Sequence, residues 1–373
     1  MIWFLFTIFV VAFVVERASI KIPLEQIKYK LEPSKRSVEQ GEEFQLNTIL
    51  HNASSRSIPY VFIEEVLPAD IEAEGSDTLN LFPDGKFLLH RTTIFMRKHQ
   101  KIKRSIRVRI QKRGMFWFRQ TRMKFGDFLG LRQREKEFRQ SRSIVVYPRK
   151  MQDERLEHVL SDIFGEISVQ SFLYEDPLLV MGYRDYTGRE PLRSISFLQS
   201  AKRNELMVKE YDHTREELVD IIFDVSYKGN FDHYFTQVET MFSMMRTICE
   251  AFENKGVSYR LITNAYYDTM EARGVNVIQS GGSGGKSFGK VLDILGMASG
   301  AAMCKTEELL QRTCQNMSQE KGFVYLCQRR DDETEALVAR LEQKYRIHFH
   351  RIYGEDFEAA YLAEENRGKK EKQ

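Results

Sequence analysis

ELVDIIFD, residues 217 to 224, is an almost unbroken apolar run closed by an acid, without the alternation of a half-exposed strand. Runs of this kind belong to strands buried on both faces, and such strands occur in parallel sheets covered by helices. The flanking sequence agrees. An amphipathic helix is expected from His233 to Asn254, ended by Gly256. Then come the strands VSYRLIT (257–263) and VNVIQ (275–279), a helix from Ser287, and a helix over Glu307 to Gln319. FVYLCQ (323–328) reads as a strand, Glu333 to Tyr345 as a helix and RIHFHRI (346–352) as a strand. Strands alternating with helices imply a mostly parallel, Rossmann-like α/β domain over residues 213–362. A charged tail, 363–373, follows. Upstream, Met151 to Leu160 reads as a helix inside a connecting segment, 151–212.

Before Pro148 the period is different. Gly41 precedes FQLNTIL (44–50), a polar turn at 51–55 precedes YVFIEEV (60–66), and Pro68 closes that run. Ile102, Ile106, Val108 and Ile110 fall on one face of a strand, while Lys103, Ser105, Arg107 and Arg109 fall on the other. Several such strands separated by turns imply a β-sandwich over residues 21–150. That stretch holds 27 Lys and Arg against 15 Asp and Glu, whereas residues 151–373 carry a net charge of −9. From Arg97 to Arg142 there are 17 basic residues and three acids. A surface meeting anionic lipid headgroups or an acidic partner is one expectation, and a solvated strand face the other.

Residues 1–20 form a hydrophobic anchor in this reading. Residues 2–15 carry no charge and only Thr7 as a polar break. Fourteen helical residues span about 21 Å against a hydrocarbon core of about 30 Å, a short anchor. Lys21, Lys28, Lys30, Lys35 and Arg36 follow it, which places the later domains in the cytoplasm, at the cell membrane. Cys249, Cys304, Cys314 and Cys327 show no Cys-x-x-Cys spacing, so neither zinc nor a disulfide framework is expected from them.

Between the two domains, GYRDYTGREPLRSISFLQSAKRNELMVKEYD (182–212) mixes Arg184, Arg189, Arg193, Lys202 and Arg203 with aromatic residues, Gly188 and Pro191. Such a segment either staples domains through Arg–carboxylate and cation–π contacts or holds an anion or a protein partner. Arg193, beside Ile195, is expected to act as a buried staple and Arg189 to project into water at a turn tip, while Arg184 could do either. Arg184, Tyr186, Gly188, Arg193, Ile195, Ser200, Ala201, Lys202, Leu206, Val208, Lys209 and Glu210 together resemble the signature of the bacterial family known as domain of unknown function 58. Arg189 stands where that pattern has Asp, and Phe197 where it has Trp. Lys112 to Phe116 and Gly126 to Leu131 resemble two shorter motifs of the same family.

The resemblance implies a β-sandwich followed by a von Willebrand factor type A-like domain, a membrane location, and partnership with a MoxR-type AAA+ ATPase. Arg184, Tyr186, Gly188, Arg189, Arg193, Ser200 and Lys202 would then be partner-binding residues. It also implies a site at Asp224 and Ser226, where Asp-x-Ser-x-Ser holds Mg²⁺ in von Willebrand-type domains. Here the last Ser is Lys228, whose ammonium repels a cation, so a degenerate site without cofactor is expected. Gly285, Lys286 and Ser287 match the end of a phosphate-binding loop, but Ser280 stands where its first Gly belongs. His348 and His350 share a strand face, as metal ligands can, without a third ligand nearby in sequence. No catalytic triad or metalloprotease motif is present. The expected function is therefore a membrane-tethered, non-catalytic interaction protein with no nucleic-acid partner. The alternative is a nucleotide-dependent enzyme using the loop from Ser280 to Ser287.

Overall fold

The computed structural model describes residues 23–73, 81–85, 87–127, 133–173, 180–188, 190–211, 218–227, 233–266, 276–279, 285–315 and 322–363, with Trp3, Phe4, Phe6, Thr7 and Val10. By contacts the chain divides into two units, residues 1–149 with 292–297, and residues 150–291 with 298–373. Most of the expected anchor, residues 2–15, lies outside the described residues, as does the tail from 364. Among the described residues no helix is long and apolar enough to cross a membrane.

The first unit is built of β1 (Ile27–Pro33), β2 (Ser37–Val38), β3 (Phe44–Asn52), β4 (Ile58–Pro68), β5 (Ile71–Ala73), β6 (Leu81–Asp84), β7 (Phe87–Met96), β8 (Lys101–Ile110), β9 (Gly114–Gly126) and β10 (Gln133–Val146). They form one sheet in the order β1-β3-β8-β5 and another in the order β2-β10-β9-β4-β7-β6. Alternation explains the packing. Phe44 and Leu46 of β3 turn inward with Ile106, Val108 and Ile110 of β8, and meet Leu67, Phe118, Ile144 and Val146 of the other sheet. This is a β-sandwich. In β4 a bulge between Ile58 and Val61 resets the parity, so that Val61, Ile63, Glu65 and Leu67 all face the core.

Glu65 is thus carried inside, where it is 1% exposed. Its carboxylate accepts hydrogen bonds from the Tyr29 hydroxyl at 2.7 Å and the Thr48 hydroxyl at 2.5 Å, and lies 2.6 Å from Nδ1 of buried His90. Thr121 donates to the Tyr29 oxygen at 3.0 Å. Burial, reinforced by Glu65, holds the Tyr29 hydroxyl well above its ordinary pKa, so it stays a donor. Arg104, on the inward parity of β8, donates to Thr92 beside this group. The outward basic residues divide between the sheets: Lys101, Lys103 and Arg107 lie on β8, while Arg119, Arg122, Lys124, Arg134, Arg139 and Arg142 lie on β9 and β10.

The second unit opens with α1 (Glu154–Leu173), which starts three residues later than its apolar period suggests. Asp153 is the reason, since its carboxylate accepts the Arg155 N–H at 2.8 Å and its carbonyl the Glu157 N–H at 3.1 Å. Leu156, Leu160, Ile163 and Ile167 form its buried stripe. Then β11 (Val180–Asp185) pairs with β12 (Met207–Tyr211) as a separate ribbon, with the short helix α2 (Phe197–Arg203) between them.

The main sheet contains β13 (Leu218–Phe223), β14 (Ser258–Thr263), β15 (Asn276–Gln279), β16 (Phe323–Cys327) and β17 (Phe349–Tyr353), in the order β15-β14-β13-β16-β17. All neighbours are parallel except β15, which runs antiparallel at one edge. Its helices are α3 (Tyr234–Lys255), the first part, to residue 291, of α4 (Gly285–Met297), α5 (Thr306–Gln315) and α6 (Asp332–Tyr345). Val238, Met241, Phe242, Met245, Ile248, Cys249 and Phe252 recur on the buried face of α3, and Gly256 ends it at a φ of 70°. Asp220, fully buried in central β13, is neutralised by Arg260, directly opposite on β14, at 2.7 Å.

Candidate functional site

In a sheet ordered β15-β14-β13-β16-β17 the chain leaves β13 toward β14 on one side and later returns to β16 on the other. The crevice beyond the carboxyl ends of β13 and β16 is the topological switch point, where ligands bind in open α/β sheets. A cleft of about 320 Å³ lies there, lined by Asp224, Ser226, Thr306, Tyr325, Cys327, Gln328, Arg329, Arg330, Asp331 and Thr334. Both residues expected at a degenerate cation site, Asp224 and Ser226, are therefore in the cleft.

The Asp224 carboxylate is 2% exposed and satisfied by this chain alone. Its Oδ1 accepts the Ser226 N–H at 2.9 Å and the Asn264 amide at 2.8 Å, and its Oδ2 accepts the Tyr325 hydroxyl at 3.1 Å. Asn264, which follows β14, also donates to Ser226 Oγ at 3.0 Å and accepts the Val225 N–H at 2.9 Å. Burial, with Asp224 adding, keeps the Tyr325 hydroxyl far above its ordinary pKa and therefore a donor. The second acid of the cleft, Asp331, caps α6 by accepting the Thr334 N–H at 3.2 Å and its hydroxyl at 2.9 Å. Arg329 and Arg330 bring two guanidinium groups, paired with Glu355 at 3.2 Å and Asp356 at 2.7 Å.

This donor set suits hydrogen bonding to a polar or charged group better than a hard divalent cation. Mg²⁺ wants free oxygen ligands in octahedral array and no cations at the rim. Nor do the lining residues offer a nucleophile with its base: there is no histidine among them, and burial, with Asp224 adding, pushes the Cys327 thiol up to about 12. Lys228 lies outside the described residues.

The Arg-rich segment is the ribbon. Ile195 bridges to Val208, and Ile195, Met207 and Val208 are buried. The Tyr186 N–H donates to the Leu206 carbonyl at 2.8 Å. Ser200 donates to the Ser196 carbonyl at 2.8 Å and accepts the Met207 N–H at 2.9 Å, tying α2 to β12. Gly188 takes a φ of 89°, which a side chain would oppose. Arg193 is not the buried staple expected of it. Arg184 pairs at 2.5 Å with Glu190, six residues away, and its side chain is 48% exposed, so it closes the loop on itself. Arg193 is exposed in the single turn Leu192–Ser194, because a 3₁₀ turn rotates each residue by about 120° and carries it away from Ile195. Lys202 is exposed on α2, and Arg189 lies outside the described residues.

Leu192, Phe197, Leu198 and Leu206 are 50 to 73% exposed across the ribbon and α2. Gly285, Lys286 and Ser287 are the first residues of α4, and Ser280 to Gly284 fall outside the described residues. His348 directly precedes β17 and His350 lies in it, with Glu166 of α1 beside them. Sequence reasoning missed Asn264, Tyr325 and Glu166; a polar residue directly after a second parallel strand was the available signal for Asn264.

No protein-family model matches the chain, and no curated protein matches it. Solved structures align with about a third of it. The GAE domain of GGA2p from Saccharomyces cerevisiae is 14% identical over 31% of this chain and 88% of that one, with a TM-score of 0.21. The CARDB domain of a protein from Pyrococcus furiosus is 10% identical over 32% and 90%, with a TM-score of 0.21. Native alpha-2-macroglobulin from Escherichia coli is 13% identical over 33% and 16%, with a TM-score of 0.22. Likenesses this slight bear on neither mechanism nor function.

Proposed function

We propose that this chain is a non-catalytic interaction protein, tethered to the cell membrane by residues 2–15, with its later domains in the cytoplasm. The resemblance of residues 182–212 to the domain of unknown function 58 signature makes a MoxR-type AAA+ ATPase the partner. The observation that carries the reading is the surface of that same segment. Leu192, Phe197, Leu198 and Leu206 stand out in water beside the exposed cations Arg193, Lys202 and Arg203. Large apolar side chains exposed among charges on one short segment are a mark of interaction surfaces. The switch-point cleft fits the same role: its acids Asp224 and Asp331 already have partners within the chain, and its two arginines offer charged hydrogen bonds to an incoming side chain. The basic outer faces of the sandwich would meet anionic headgroups.

The test is affinity purification of the full chain from detergent-solubilised membranes, beside a Phe197→Ser, Leu198→Ser variant. Both side chains are exposed, so the variant should keep the wild-type melting temperature. An AAA+ ATPase should be recovered with the wild type and depleted at least about tenfold with the variant, as when interface anchors are removed. Absence of any such ATPase from the wild-type sample, or equal recovery with both, would overturn the proposal.

A further inference from the structure

We propose that Glu166, His348 and His350 form a binding site for a borderline transition-metal ion, Zn²⁺ foremost. One ligand atom from each residue lies within 4.8 Å of the other two. Two imidazoles and one carboxylate are a donor set that zinc accepts, with a fourth position left to water.

The elements explain how the three meet. His348 directly precedes the edge strand β17 and His350 is its second residue, and their ring centroids are 5.1 Å apart. Glu166 lies on α1 between Ile163 and Ile167, whose burial fixes that stretch of helix. Its carboxylate reaches to 3.3 Å from Nε2 of His350.

Tetrahedral zinc with bonds of about 2.0–2.2 Å needs ligand atoms about 3.4 Å apart. The present cluster is looser than that and is able to close. The His350 side chain is 15% exposed and fixed by its surroundings, whereas Glu166 is 58% exposed and free to change rotamer. A second layer orients the donors. Nδ1 of His348 lies 3.3 Å from Oε1 of Glu342, and Glu342 is itself held by the Phe349 N–H, which donates to Oε1 at 2.9 Å, and by Arg351, which donates to Oε2. A carboxylate at Nδ1 holds the proton there and turns Nε2 toward an ion, the arrangement found behind metal-bound histidines. Once bound, the ion would tie α1 to the edge of the sheet. The site lies on other residues than the interaction surface, and either could exist without the other.

Tag-free full chain, stripped with chelator, should be titrated with ZnCl₂ by calorimetry, and with Co²⁺ while its visible spectrum is followed. One Zn²⁺ per chain is expected, with a rise in melting temperature, as for any ligand that binds only the folded state. His348→Ala should weaken binding at least about tenfold. Glu166→Gln, at an exposed position, should do the same and serves as a second check on a folded protein. Cobalt should show d–d bands without the near-ultraviolet charge transfer of a thiolate ligand. No saturable binding below about 100 μM, equal binding by both variants, or a thiolate band would each overturn the assignment.

Discussion

Asn264 touches Asp224, Ser226, the Val225 N–H and the Cys304 carbonyl from a fully buried position. Replacing it with Ala leaves a buried carboxylate short of one donor and a backbone N–H without its acceptor. At about 1–3 kcal/mol for each stranded polar group, Asn264→Ala should cost about 3 kcal/mol in urea unfolding. Asn264→Asp should cost more, because it sets a second carboxylate against Asp224. A loss under about 1 kcal/mol in Asn264→Ala would mean that water replaces the amide and that the cleft is wetter than its geometry indicates. Asp224 and Ser226 were reached from the sequence through its resemblance to von Willebrand-type domains. Their partners were not: Asn264 and Tyr325 lie 40 and 101 residues further along, and only the order of the strands brings them near.

At the start of α1 the apolar period and the helix part company. Met151 is buried, yet its N–H donates to the Thr247 hydroxyl of α3 at 2.9 Å instead of entering the helix. Periodicity reports burial, and burial extends beyond the last residue with helical torsions. The cap was the better guide to the boundary. Hydrogen bonding from Arg155 outweighs the opposing effect of burial and holds the Asp153 carboxyl below its ordinary value of 3.8. A depressed acid contributes stability above its unfolded pKa and loses it as the pH falls through the folded one. Asp153→Ala should therefore destabilise by about 1 kcal/mol at neutral pH. Measured by urea unfolding at a series of pH values, the gap from wild type should stay constant down to about pH 5 and narrow below 3.8. A gap independent of pH would show that the ionised carboxylate contributes nothing to the cap.

Across the whole molecule, both architectures could be read from the change of period near Pro148, alternation before it and solid apolar runs after it. The interior of the sandwich could not. Nothing in YVFIEEV marks Glu65 rather than Glu64 as inward, because the bulge between Ile58 and Val61 sets which parity faces the core, and bulges leave no dependable mark in a single sequence. Glu65→Ala should cost about 3–5 kcal/mol, because it leaves His90, Thr48 and Tyr29 without their common acceptor, and chemical unfolding would measure it. Exchanging such a group wholesale for well-packed apolar residues is often neutral or stabilising. Positions 29, 48, 65, 90 and 121 therefore behave as one unit of inheritance. A descendant that altered any one of them would be less fit to fold until the others followed, and drift at these five sites should be rare, abrupt and correlated.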